Sequence, residues 1–174
     1  MKQIARAAVA ALFAAALPVA AIAQDAPQKC GNLPDAFEGL AFSGDGDTIY
    51  GIGYTPPIRL WGIQAPELRD KQTGQETAAG MRTRAALEDL FAASGHRVTC
   101  EPRKWDRYCR VVASCKTGNV DVSLALIKAG LAYGFWLSDT APDKGAVSVA
   151  YAAAEAEARQ ARRGLWPQWL GEAK

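Results

Sequence analysis

The sequence predicts an α+β fold that is mainly a five-stranded β barrel with three helices, in the order βββ-α-ββ-αα. Three observations predict it. Residues 37–63 form three short β-like runs split by Gly-Asp-Gly-Asp and Thr-Pro-Pro. Between residues 74 and 93 the apolar spacing changes to a helical period. Two further strand-like runs then flank a cationic turn, ahead of two closing helices. A small barrel of this order is the OB-fold, whose face and loops often hold oligonucleotides. Fold alone does not give function, so the side chains must supply the chemistry.

Residues 1–23 carry Lys2 and Arg6, then an alanine-rich apolar run closing on Ala21-Ile22-Ala23. This pattern is expected of a secretory signal peptide, too short and too alanine-rich for a membrane span. Cleavage after Ala23 removes two of the 20 cations and none of the 18 acids, leaving 18 against 18. A polyanionic partner must therefore be recognised by a local cluster and not by net charge. The expected product is soluble, monomeric, free of the membrane, and periplasmic or secreted. Residues 24–36 read as a lead segment, 37–170 as one domain and 171–174 as a tail.

The three runs within 37–63 form a meander. In the helix over 74–93, Ala79, Thr83, Ala86, Leu87, Leu90 and Phe91 share a face, and Ser94-Gly95 ends it. The strands at 97–100 and 109–115 form a hairpin. A short helix follows, with Asn119 as its cap and Gly130 as its stop. A longer helix runs to Gly164, with an inward stripe of Val147, Ala150, Tyr151, Ala154, Ala158 and Ala161 and a Glu155–Arg159 pair outside. Four cysteines in an exported chain favour disulfides over metal, and three pairings are open. Cys100 and Cys115 flank the hairpin and are expected to bridge it, which would leave Cys30 for Cys109.

Three short stretches carry possible chemistry: Asp45-Gly46-Asp47-Thr48, the segment from Arg59 to Glu67 ("RLWGIQAPE"), and Asp106-Arg107-Tyr108-Cys109-Arg110. Each has an ordinary explanation taken singly: a hairpin turn, a solvated strand arginine, a surface acid. An EF-hand starting at Asp45 fails, because Ile49 and Pro56 stand where ligands belong. His96, the sole histidine, reads as an exposed loop residue, which argues against a histidine nucleophile or a zinc centre. Arg97, Arg103, Lys104, Arg107 and Arg110, interleaved with Trp105 and Tyr108, suit single-stranded nucleic acid.

In this order and spacing, the three stretches resemble the thermonuclease family, the staphylococcal-nuclease-like phosphodiesterases. The resemblance runs from about residue 42 to 166 and includes Gly130-Leu131-Ala132 and the closing Gly164-Leu165-Trp166. It implies a nuclease acting on DNA or RNA with little sequence preference. Arg59 and Arg110 take the place of the phosphate-holding arginines, and Glu67 that of the glutamate that orients or deprotonates the attacking water. Asp47, residue 64 and the backbone carbonyl of Ala65 stand where the family binds calcium. Tyr108 lies beside the substrate phosphate, and Trp136 where a base stacks. These types suit the reaction, because guanidinium forks and a hard cation best stabilise charge on non-bridging phosphate oxygens.

Two departures matter. Gln64 replaces a calcium-binding aspartate, offering an oxygen without charge, so calcium should be weakly held. Cys109 replaces the glycine of the usual Asp-x-Tyr-Gly-Arg turn. Gln64 and the balanced charge favour a rival reading, a weakened or inactive nuclease-like module that binds nucleic acid or another anionic partner without cutting it. A glycosidase using Asp47 and Glu67 leaves the arginines unexplained. Either arginine, read as a surface residue, should be removable without loss of fold.

Overall fold

The structure is a computed structural model that describes residues 30–135 and 144–171, with no side-chain detail at 144–146. The expected signal peptide, Trp136 and the last three residues lie outside the described residues.

The meander forms as expected. β1 (Phe37–Ser43) pairs antiparallel with β2 (Thr48–Gly51), and β2 with β3 (Ile58–Leu60). A two-residue strand, β4 (Ile63–Gln64), follows. After helix α1 (Ala78–Ala92), β5 (Arg97–Trp105) pairs with both β1 and β6 (Val111–Thr117). β6 also runs parallel to β3, setting Arg59 opposite Val112. The order β3-β2-β1-β5-β6 therefore closes on itself, giving a five-stranded mixed barrel with helices, as the sequence predicts.

The barrel interior and the faces of α1 and the later helices share one core that includes Ile49, Ile58, Leu60, Leu87, Phe91, Val98 and Val111. In α1 the expected stripe faces it, with Thr83, Leu87 and Phe91 buried and Ala79, Ala86 and Leu90 packed at the margin. The Thr77 hydroxyl accepts the Gly80 N–H and caps the helix.

Several details depart from expectation. β5 continues five residues past Cys100, because the stretch read as a cationic turn pairs with the start of β6 through an irregularity between Pro102 and Lys104. The turn shrinks to residues 106–110. Helix α2 (Val122–Lys128) is capped by Asp121 and not Asn119: Val120–Asp121 forms the short strand β7 against β6, so the helix starts later. The Asp121 carboxylate accepts the Leu124 N–H and the Tyr151 hydroxyl, tying α2 to α3 (Lys144–Gln160). α3 ends at Gln160, short of the expected Gly164; Tyr151, Ala154 and Ala158 are buried, but Ala150, and Ala161 in the turn after the helix, are exposed. Glu155 accepts the N–H of Gly134 in the short strand β8 (Tyr133–Gly134), and Arg159 lies over the Trp166 ring. A single-turn helix, α4 (Trp166–Trp169), is additional to the three expected.

His96 is half-buried, stacked on Phe42 with ring centroids 4.5 Å apart, and its Nδ1 lies 3.6 Å from Glu88. It is a packing residue and not an exposed loop residue. Both disulfides close as anticipated: Cys100–Cys115, directly opposed across β5 and β6, and Cys30–Cys109.

Candidate functional site

The expected site residues sit on one side of the barrel because of where their strands end. Asp47 immediately precedes β2, Arg59 is central in β3, Gln64 ends β4, and Arg110 immediately precedes β6. Thr48 and Arg59 are cross-strand partners. A cleft of about 660 Å³ opens there, lined by Asp47, Arg59, Gln64, Ala65, Glu67, Tyr108 and Arg110 together with their neighbours. Every expected site residue within the described part of the chain thus borders one cavity.

Two glycines allow the approach. A Cβ at Gly46 would fall 2.7 Å from both the Ala65 Cβ and the Thr83 Cγ2, so the Asp47 loop can rest on the 65 segment and on α1 only without a side chain. A Cβ at Gly80 would fall 2.4 Å from the Glu67 carbonyl oxygen. The same backbone is held by the Thr77 hydroxyl, which donates to the Glu67 carbonyl at 2.7 Å.

Arg59 departs most from expectation. It is only 8 % exposed, not a surface arginine. Its Nη2 lies 3.0 Å from Asp47 Oδ2 and donates to the Ile63 carbonyl and to Gln64 Oε1, while Nη1 reaches the Asp47 and Leu60 carbonyls. Asp47 Oδ2 also accepts the Ala65 N–H at 2.8 Å. Burial pushes the Asp47 carboxyl up to about 6, against the opposing pull of Arg59 and the Ala65 N–H. Burial likewise lowers Arg59, with Asp47 acting the other way. Desolvation outweighs mutual attraction for both members, so this pair is costly to hold and costlier to break. Asp45 shapes the loop, accepting the Asp47 and Thr48 N–H groups; the turn and the candidate site are the same structure.

Arg110 is organised differently. Asp106 Oδ2 accepts its Nε at 2.7 Å, and Asp106 Oδ1 accepts the N–H groups of Tyr108 and Arg110. Burial opposes ionisation of Asp106, but these hydrogen bonds hold its carboxyl below the ordinary value. One carboxylate therefore sets both the Arg110 fork and the Tyr108 backbone. Its role was not anticipated, although a carboxylate four residues before an arginine was a readable signal. Arg110 Nη1 lies 3.4 Å from the Thr48 hydroxyl, and the ring of Tyr108, 63 % exposed, has the Arg107 and Arg110 guanidinium groups at 4.7 and 5.7 Å from its centroid.

Glu67 stands at the exposed rim, its carboxylate 3.1 Å from Lys71 Nζ. Beside it a second hollow of about 420 Å³ is bordered by Tyr133, Phe135 and Trp169. Phe135 is 39 % exposed and borders both hollows. The expected cationic cluster divides: Lys104, Arg107 and Arg110 line the cleft, whereas Arg103 turns to lie 4.5 Å over the Trp61 ring and Arg97 is outside the lining. The cleft nevertheless holds five cations (Arg59, Lys71, Lys104, Arg107, Arg110) against four carboxylates (Asp45, Asp47, Glu67, Asp106), a positive local balance in a chain of nearly even charge.

The oxygens available to a cation are hard ones, which suits calcium in kind. Asp47 supplies charge, Gln64 Oε1 is shared with Arg59, and the Ala65 carbonyl accepts the Gln64 amide at 3.0 Å. Asp47 is the one charged donor among them and already faces a guanidinium, and among the described residues no three His, Cys, Asp or Glu side chains cluster as metal ligands, so this donor set would hold an ion only weakly.

Residues 57–168 match the family model described as Staphylococcal nuclease homologue, and the chain belongs to that family. It is also 35 % identical over 119 residues to a protein of Verticillium alfalfae named "Probable endonuclease LCL3". The match covers 66 % of this chain and 40 % of that protein, so this chain aligns with well under half of its relative's length. Members of this family typically depend on calcium. Among the described residues no helix is long and apolar enough to cross a membrane, and the two disulfides fit an oxidising compartment.

Proposed function

We propose that this chain is an exported endonuclease-like phosphodiesterase that hydrolyses DNA or RNA with little sequence preference, acting as a monomer in the periplasm or outside the cell. The observation that carries the reading is the convergence of Arg59, Arg110, Asp47 and Glu67 on one cleft with Tyr108 at its mouth. Residues 1–23 serve as the signal peptide, 24–36 lead into the domain, 37–170 form it and 171–174 are a tail.

A phosphate entering the cleft meets Arg110, whose guanidinium Asp106 already orients, so little ordering remains to be done when the substrate binds. Arg59 supplies a fixed positive charge beneath the phosphate in a site where water screens poorly. Glu67 accepts a proton from water as the water oxygen bonds to phosphorus in line with the departing ester oxygen. That oxygen leaves with the electrons of the broken P–O bond and is protonated from solvent. The two arginines hold the charge that gathers on the non-bridging oxygens. Tyr108 binds the nucleotide, its exposed ring giving a base a face to stack on, and Trp136, which lies outside the described residues, is assigned to substrate binding from the family resemblance alone. Asp47, Gln64 and the Ala65 carbonyl are the residues that would hold calcium weakly; when bound, calcium would polarise a phosphate oxygen.

Gln64 and the Glu67–Lys71 pairing favour a second reading, a module that binds a nucleic acid strand without cutting it. Incubating the purified mature chain with single-stranded DNA and with RNA, in calcium and in chelator, separates the two. Shortened products support the enzyme. Retention of the strand with no cleavage under any condition supports the module and overturns the enzyme.

A further inference from the structure

The turn that carries Tyr108 and Arg110 is bolted to the lead segment by Cys30–Cys109, and Cys109 is the residue between them. Its φ is 55°, in the left-handed region that favours glycine. A cysteine pays sterically for that conformation and persists there only if its surroundings impose it. Among the described residues the backbone hydrogen bonds that shape the turn run within it: Cys109 N–H to the Asp106 carbonyl, Asp106 N–H to the Arg110 carbonyl, and the Tyr108 and Arg110 N–H groups to the Asp106 carboxylate; Arg110 Nη1 reaches outward to the Thr48 hydroxyl at 3.4 Å. The disulfide adds a tether from outside, spanning 79 residues of chain. Its far end is fixed in turn, because the Trp105 indole donates to the Gly31 carbonyl at 3.1 Å.

We propose that closing the Cys30–Cys109 disulfide positions Arg110 and Tyr108 for phosphate, so that opening it turns the site down. Cys30 and Cys109 are positioning residues, acting through the backbone on a group that meets the substrate. The two disulfides differ in access. Cys100 and Cys115 are buried at 0 and 2 % exposure, whereas Cys30 and Cys109 are half-buried, so a dithiol reductant reaches the latter pair first. The exchange balances: the dithiol gives up two electrons and two protons to become a cyclic disulfide, and Cys30 and Cys109 each become a thiol. Freed of its tether, residue 109 can leave the left-handed region. The Tyr108 and Arg110 N–H groups then lose their alignment on Asp106.

The kinetic consequence rests on the nuclease reading; the structural consequence does not. The test therefore has two arms, applied to the full mature chain and its Cys30→Ser and Cys30→Ser/Cys109→Gly variants. In the first arm, hydrogen exchange should quicken at least tenfold at the Tyr108 and Arg110 amides in Cys30→Ser, remain as in the parent along β1 to β3, and slow again when glycine replaces Cys109. In the second arm, KM for a single-stranded oligonucleotide should rise about tenfold in Cys30→Ser with a smaller change in kcat, and glycine at 109 should recover most of it. Should Cys30→Ser fail to fold, the parent is treated with dithiothreitol until peptide mapping shows only Cys30 and Cys109 free, and the same exchange is measured. Unchanged exchange at Tyr108 and Arg110, or exchange that quickens evenly over the barrel, overturns the proposal. A parent that cuts nothing overturns the nuclease reading and leaves the exchange arm to decide this one.

Discussion

Removing Arg59 should cost far more than removing a surface arginine. Its guanidinium touches Asp47 Oδ2, Gln64 Oε1 and three backbone carbonyls, and the residue is only 8 % exposed. Arg59→Ala strands a carboxylate in a place water scarcely reaches, and breaking a buried pair from one side typically costs about 3–5 kcal/mol. For a domain of this size each kcal/mol lowers Tm by about 2–4 °C, so the expected loss is about 6–20 °C. The loss should also depend on pH, and its sign follows from Asp47. The folded Asp47 carboxyl stands at about 6, above its ordinary 3.8, and deleting Arg59 removes the main influence holding it down. Below both values the carboxyl carries its proton in both states and the missing guanidinium matters little; as pH rises through 6 the variant must either keep the proton against solution or bury a bare charge. The deficit against the parent should thus be largest near pH 8 and smaller near pH 5. Thermal unfolding of both proteins at these two pH values, in chelator, measures it. Asp47→Asn in the Arg59→Ala background should recover much of the loss at pH 8. A Tm drop below about 3 °C at pH 8, or an equal drop at both pH values, would refute the reasoning.

Arg110→Ala should behave in the opposite way. Its side chain is about one-third exposed and its ion pair is local, so Tm should fall by no more than about 3 °C while cleavage drops roughly 10²-fold or more, as measured by oligonucleotide kinetics. Asp106→Asn keeps an acceptor for the Tyr108 and Arg110 N–H groups but removes the charge facing Arg110 Nε. A charge-assisted bond is worth about 1.5–3 kcal/mol, so cleavage should fall about 10- to 100-fold, with the same substrates as the readout. Gln64→Asp adds a second carboxylate beside Asp47 and frees the Ala65 carbonyl of its amide partner, so calorimetric titration should show tighter calcium binding and calcium should raise Tm more than in the parent. Unchanged calcium affinity would mean that Asp47 and residue 64 do not share an ion.

The barrel was legible because its strands are short and punctuated by Gly, Asp and Pro, and because α1 repeats its apolar positions faithfully. Two-residue strands such as Ile63–Gln64 and Tyr133–Gly134 carry no period and cannot be seen in the sequence. The extension of β5 was hidden by its cations, which mark turns in isolation, whereas here Lys104 pairs with Val112 and the neighbouring Trp105 with Val111. Asn119 and Asp121 are both good caps, and only the pairing of β7 decides between them. In the candidate site the residues could be named from order and spacing, but their environments could not. Ile58, Arg59 and Leu60 are buried in succession, because β3 is paired on both edges and covered; the alternation that would place an arginine in solvent does not apply. Phe135 shows the converse, an apolar side chain that borders the cleft where its residue type alone would suit the core.

The central claim is that the Arg110 and Glu67 groups around this cleft cut phosphodiester bonds. It is tested most directly by following a uniformly labelled single strand, in calcium, with the parent, Arg110→Ala and Glu67→Gln prepared side by side. The account predicts a ladder of shortened strands from the parent, and ladders weakened at least 10²-fold from both variants while thermal unfolding shows each of them folded. An undiminished ladder from either folded variant would contradict the assignment of that residue, and no ladder from the parent would contradict the claim itself.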